Sequence, residues 1–168
     1  MKTIALGLIL TLAGATAAPA ADDAFLSRLV GDWTGRGSMR TSADAEPERV
    51  YCKVRNALAD GGQALEQSGR CSLASNTGAI DGTIAAMGSG LYGGTLESLA
   101  SRGPAQIAGS LSGDRLELNA DFIDTLGGEQ ARSIIVIDLV GDGYRLTSTR
   151  IDDDTGARYT ASEIVFTP

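Results

Sequence analysis

A chain of 168 residues with 21 acidic and 14 basic side chains carries a formal charge of −7 and has no histidine. The acidic excess repels phosphate backbones and argues against a nucleic-acid partner. The missing imidazole removes the commonest general base, metal ligand and haem ligand together.

The first residues have the three parts of a secretory leader. Lys2 supplies the positive charge, Thr3 to about Leu12 the short apolar region, and Ala18-Pro19-Ala20 the small-residue cleavage signal. The apolar stretch is shorter than the roughly 20 residues of a spanning helix. Residues 1–20 are therefore expected to be removed, leaving residues 21–168 as a single domain in the periplasm or outside the cell. Loss of Lys2 takes the charge from −7 to about −8, which favours solubility. The first cysteine is Cys52, so a lipid anchor at the cleavage point is not expected.

After the leader, Ala24 to Val30 places Phe25, Leu26, Leu29 and Val30 on one helical stripe, a short helix suited to capping the end of a barrel. Gly31-Asp32-Trp33-Thr34-Gly35-Arg36-Gly37 then opens the first strand and carries the chain's single tryptophan. Arg49 to Leu58 and Ala64 to Leu73 are strand-like and flank Asp60-Gly61-Gly62-Gln63, where Gly-Gly suits a two-residue primed turn. Folding about the Gly61–Gly62 midpoint sets Cys52 opposite Cys71, Val54 opposite Gly69, Asn56 opposite Gln67 and Leu58 opposite Leu65. Lys53, Arg55, Glu66 and Arg70 share the other face. One register thus satisfies a cross-strand disulfide and the alternation rule together. An exported chain with two cysteines is expected to pair them for structure.

From Gly78 to Gly109 the chain is rich in glycine, with strands placed at Gly78 to Ala86 and Leu91 to Ser98. These glycines allow two readings: strong strand curvature for closure, or side chains withheld from an interior cavity. Ala105 to Leu111 and Arg115 to Phe122 form the next hairpin, about Gly113-Asp114, with Leu111 against Leu116, Gly109 against Leu118 and Ile107 against Ala120. Ser133 to Val140 then meets Tyr144 to Ile151 across Asp142-Gly143, with Leu139 against Leu146. Ile134 to Ile137 is apolar on both faces, which suggests cover on both sides, with the N-terminal helix as the candidate. Arg158 to Phe166 is the last strand. The whole is expected to be all-β: a small closed antiparallel up-and-down barrel of eight to ten strands with a short N-terminal helix.

The G-x-W of Gly31 and Trp33, following a helical turn, resembles the opening of lipocalin-like barrels. That resemblance implies a structural Gly31 and Trp33 at the barrel's closed end, and a late-strand arginine over the indole, for which Arg150 is the candidate by cation–π contact. The longer pattern Gly31-x-Trp33-x-Gly35-x-Gly37 resembles the nitrobindin-like barrels, which hold haem through a late-strand histidine. This chain has none, so that activity does not carry over and no cofactor is expected. Tyr144 and Tyr159 are the late-strand groups left that could in principle ligate iron.

Other chemistry is thinly represented. Asp152-Asp153-Asp154-Thr155-Gly156 has the carboxylates of a cation loop without the spaced ligands, and reads better as a turn. No histidine activates the many hydroxyls, and Lys53 is the one lysine beyond the leader. Glu66, Glu97, Glu117, Asp121, Asp138 and Glu163 alternate outward, so no convergent acid pair is expected, and the chain reads as a non-enzyme. Asn56 and Gln67 interrupt an apolar face. Either they satisfy each other, or they are the oriented polar groups of a ligand pocket; in the second case Asn56→Leu would raise or preserve stability and abolish uptake. The sequence thus points to an exported small-molecule binding protein, with an apolar or amphipathic ligand in a lipocalin-like barrel. The alternatives are an envelope interaction module, such as a protease inhibitor or scaffold, and an outer-membrane barrel. The last is opposed by 5% aromatic content, too little for interface girdles.

Overall fold

Period-two alternation decides the architecture along nearly the whole chain. The computed structural model describes residues 22–125, 127–152 and 155–168. The expected leader and two aspartates of the acidic turn, Asp153 and Asp154, lie outside the described residues. The described residues form one short α-helix, α1 (Ala24–Arg28), a single 3-10 turn at Asp60–Gly62 and ten strands. These are β1 (Gly31–Met39), β2 (Glu48–Ala59), β3 (Ala64–Ser72), β4 (Thr77–Gly88), β5 (Leu91–Glu97), β6 (Ala105–Ser112), β7 (Arg115–Ile123), β8 (Gln130–Val140), β9 (Gly143–Ile151) and β10 (Arg158–Thr167). Each strand pairs antiparallel with its sequence neighbours, and β10 closes the ring against β1. Closure pairs every strand on both sides, which removes the exposed edges of an open meander.

On β2, Val50, Cys52, Val54 and Asn56 are buried while Arg49, Tyr51, Lys53 and Arg55 are exposed. On β7, Leu116, Leu118, Ala120 and Phe122 point in while Arg115, Glu117 and Asn119 point out. The outer face carries ion pairs around its girth: Arg55–Asp32 at 2.7 Å, Arg115–Asp138 at 3.0 Å and Arg132–Asp121 at 2.7 Å. Solvent screening leaves each of these worth little for stability, but they fix the polarity of that surface.

The β2–β3 register is the one expected: Cys52 lies opposite Cys71, Val54 opposite Gly69, Asn56 opposite Gln67 and Leu58 opposite Leu65. Cys52 and Cys71 are disulfide-bonded and buried. The turn differs in form. It is a four-residue loop after the Ala59–Ala64 pair, with Asp60, Gly61 and Gly62 all at positive φ. Tertiary contacts select it, because the Gly62 carbonyl accepts from the Asp23 N–H at 2.9 Å, and a Cβ on Gly62 would run into Asp22.

The β6–β7 hairpin keeps its expected register throughout. The β8–β9 hairpin does not. Leu139 pairs with Tyr144 and Ile137 with Leu146, a shift of two residues that leaves every side chain on its expected face. The turn is Gly141-Asp142, with Gly141 at φ +57°. Gly143 is needed elsewhere: it lies in β9, where any Cβ would collide with the Phe166 carbonyl of β10.

Alternate hairpin turns define the two ends. The β2–β3, β4–β5, β6–β7 and β8–β9 turns gather at one end, which α1 plugs from inside. Phe25, Leu26 and Leu29 are buried in the same core as Trp33, Leu65, Leu116, Leu118 and Phe166. The helix therefore does not cover the outer face of β8, as the apolar run Ile134 to Ile137 had suggested. Val136 is buried at its outward position, flanked in the sheet by Glu117 and Thr147.

Candidate functional site

Asp23 starts α1 and ties it down. Its Oδ1 accepts from the N–H groups of Phe25 and Leu26 at 3.1 and 2.9 Å, and its carboxylate accepts from the Tyr92 hydroxyl at 2.9 and 3.1 Å. Burial first, and then that bond to a carboxylate, push the Tyr92 pKa up to about 12. At the other end of the helix, Arg28 pairs with Asp114 of the β6–β7 turn at 2.7 Å.

Trp33 is buried beside this plug, as the G-x-W resemblance implied, and its Nε1 donates to the Leu29 carbonyl at 2.8 Å. Gly31 sits at φ +143°, a conformation that L side chains rarely adopt, and a Cβ there would stand 3.5 Å from the indole nitrogen of Trp33. Gly35 leaves space for the Phe166 ring, which a Cβ would meet at 2.6 Å. Phe166 in turn stacks on Tyr144 at 4.5 Å, and Tyr144 meets Trp33 edge-on at 5.2 Å. Burial holds the Tyr144 pKa well above the ordinary tyrosine value, against a weaker opposite pull from the Asn56 and Gln67 amides.

The arginine expected over Trp33 is not there. Arg150 lies in the opposite half of the barrel, its guanidinium 5.5 Å above the Phe122 ring and 2.7 Å from the Asp124 carboxylate. The antiparallel register explains this. Tyr144 is the second residue of β9, at the closed end, and Arg150, six positions on, is carried almost the full length of the strand away from it. Tyr144, and not a cation, fills the place beside the indole.

Asn56 and Gln67 are brought together, with Gln67 Nε2 donating to Asn56 Oδ1 at 3.0 Å and Asn56 Nδ2 donating to the Leu29 carbonyl at 2.9 Å. Neither lines the interior cavity. They bind the plug to the wall, so the mutual-satisfaction alternative describes them. Tyr159 is at the outer rim, with Arg40 over its ring at 5.9 Å. Asp152 closes its own turn, accepting from the N–H and hydroxyl of Thr155. Glu66, Glu97, Glu117 and Glu163 are exposed on four different strands, while Asp121 and Asp138 face arginines of the neighbouring strands.

The open half of the barrel holds a cavity of about 400 Å³. Phe166, Ile164 and Cys71 line its depth; Val50, Leu73, Ile80, Leu96 and Leu99 give it an apolar wall; Ser133, Ser148, Ser162 and Arg150 give it a polar one. The segment between β5 and β6 straps one side of its mouth. Ser101 bridges to Asp124, the Thr125 N–H donates to Ala100 at 3.1 Å, and the Arg102 N–H donates to Ile123 at 2.8 Å. Leu99 of this strap reaches the space left by Gly78.

Among the described residues, no glycine lines the cavity. Gly82, Gly94 and Gly109 sit instead where a neighbouring strand's carbonyl would meet any Cβ, so these three serve the close approach of paired strands. The space comes from small residues at inward positions on five consecutive strands. Toward the open end, Ile107 gives way to Ala105, Leu118 to Ala120, Ile135 to Ser133, Leu146 to Ser148 and Ile164 to Ser162. This large-to-small step, repeated at one level, is written in the sequence, and it becomes visible once the strand registers are known.

Fold and site together define a closed ten-stranded antiparallel barrel of the general calycin type, plugged at one end and hollow at the other. No protein-family model and no curated protein matches the chain, so the assignment rests on its own geometry.

Proposed function

We propose that this chain is an exported binding protein that holds a small, mostly apolar or amphipathic molecule in the open half of its barrel, in the manner of lipocalin-like carriers. The observation that carries the reading is the cavity. Its volume of about 400 Å³ falls within the range of small-molecule sites, and so does its make-up of apolar walls with a few convergent polar groups. The ion-paired outer face supports a barrel that meets water and not lipid, since a membrane barrel turns its apolar residues outward. The leader-like N-terminus and the Cys52–Cys71 bond support export to an oxidising compartment. The interaction-module alternative calls for a solid barrel, and the hollow half weighs against it.

Native mass spectrometry of purified protein should reveal co-purified mass, and the neutral apolar dye N-phenylnaphthylamine should brighten on binding. Ala120→Phe or Ala105→Leu, each filling the cavity from an inward position, should cut dye uptake by at least about tenfold while the barrel still folds, since the new side chain enters existing space. A wild-type protein that takes up no dye, or folded fillers that bind it unchanged, would overturn the proposal.

A further inference from the structure

The polar wall of the cavity has a definite chemistry. Ser148 of β9 lies opposite Ser162 of β10 in the sheet, and Ser133 of β8 lies opposite Arg150 of β9. Ser133 and Ser162 are only 5% and 6% exposed. All three serines line the cavity, and their hydroxyls make no hydrogen bond to the protein among the described residues. A hydroxyl that looks into a cavity can both donate and accept, and three of them facing one space form a site for a group that both accepts and donates.

The charge balance narrows that group further. Arg150 is the cation of this wall, and Asp124 neutralises it at 2.7 Å, with both side chains largely buried at 15% and 12% exposure. Arg40 and Glu48 also line the cavity, where the open ends of β1 and β2 border it. A carboxylate or phosphate seated deeper, on the serines, would set a second anion near Asp124 with the Arg150 guanidinium to share, in a setting where unpaired charge is strongly disfavoured. A cationic ligand meets the same conflict with Arg150. The apolar wall of Leu73, Ile80, Leu96 and Leu99 takes a hydrocarbon body.

From these observations we infer that the cavity selects an uncharged, oxygen-headed apolar molecule, an alcohol or carbonyl compound, seated with its oxygen on Ser133, Ser148 and Ser162, and that the Asp124–Arg150 pair excludes charged amphiphiles. This rests on the binding function proposed above and names the ligand class for the same site.

Displacement of N-phenylnaphthylamine at neutral pH by n-decanol, n-decane and decanoate tests it. The expected order is n-decanol tightest, by about tenfold over n-decane and over decanoate, the size of one well-made buried hydrogen bond. Ser133→Ala/Ser148→Ala/Ser162→Ala should bring n-decanol down to the level of n-decane and leave n-decane unchanged, and Ser148→Ala alone should give part of that loss. Asp124→Asn, which frees the guanidinium, should reverse the preference and make decanoate the tighter ligand; a folded Asp124→Asn protein that still rejects decanoate overturns the charge argument. Decanoate binding to wild type as tightly as n-decanol, or n-decanol no better than n-decane, overturns the inference while dye binding still upholds a carrier. Absence of any dye uptake overturns both.

Discussion

Replacing Asn56 by leucine separates a structural amide from a ligand-binding one. Asn56 is 3% exposed, receives Gln67 Nε2 at 3.0 Å and donates to the Leu29 carbonyl at 2.9 Å. Leucine has nearly the same size, so packing changes little, but both hydrogen bonds go. Each is worth about 1 kcal/mol net, and the stranded Gln67 amide adds a desolvation penalty that its partial exposure softens. The Leu29 carbonyl keeps its second donor, Trp33 Nε1 at 2.8 Å, and adds nothing further. The expected loss is about 2–3 kcal/mol, seen as a lower urea midpoint at unchanged slope. Thermal melting should fall by about 4–12 °C for a domain of this size. Asn56→Leu/Gln67→Leu should recover about 1 kcal/mol, because the orphaned donor is removed as well. Dye uptake should not change, since the cavity lies in the other half of the barrel. An Asn56→Leu protein as stable as wild type, or one that loses uptake while folded, would refute the assignment of this pair to the plug.

Two further outcomes test the plug and the barrel wall. The Tyr92 pKa stands at about 12 in the folded chain against 10.0 for a free tyrosine, so its contribution to stability is complete below about pH 10 and is lost as pH rises toward 12. Urea midpoints should fall over that interval, and the fall should be shallower in Tyr92→Phe; equal slopes for the two proteins would remove Tyr92 from the account. Cys52→Ala/Cys71→Ala opens a loop spanning 19 positions and should cost about 3 kcal/mol while the β-sheet circular dichroism of the folded state persists. A spectrum that turns helical, or a midpoint that does not move, contradicts the reading of this bond as a staple on a barrel wall.

The barrel was legible in the sequence because the information for it is local. Cys52 and Cys71, the turn glycines and the alternation of Leu116, Leu118 and Ala120 with Glu117 and Asn119 each concern residues on one strand or across one turn, and side-chain period and turn chemistry act at that range. The β8–β9 register escaped by two residues because Gly141-Asp142 and Asp142-Gly143 are equally good turns locally. The choice between them came from β10, whose Phe166 carbonyl needs a glycine at position 143.

The candidate site depends on information that is not local. Arg150 and Asp124, and Ser133, Ser148 and Ser162, come from four separate segments whose mutual level depends on every intervening register. Strand direction took Arg150 away from Trp33 and gave the place beside the indole to Tyr144. Sequence alone specified which side chains face inward, since that depends on parity along a single strand. How deep each one sits, and what it meets there, depends on stagger accumulated around a closed ring, and only the assembled barrel sets that.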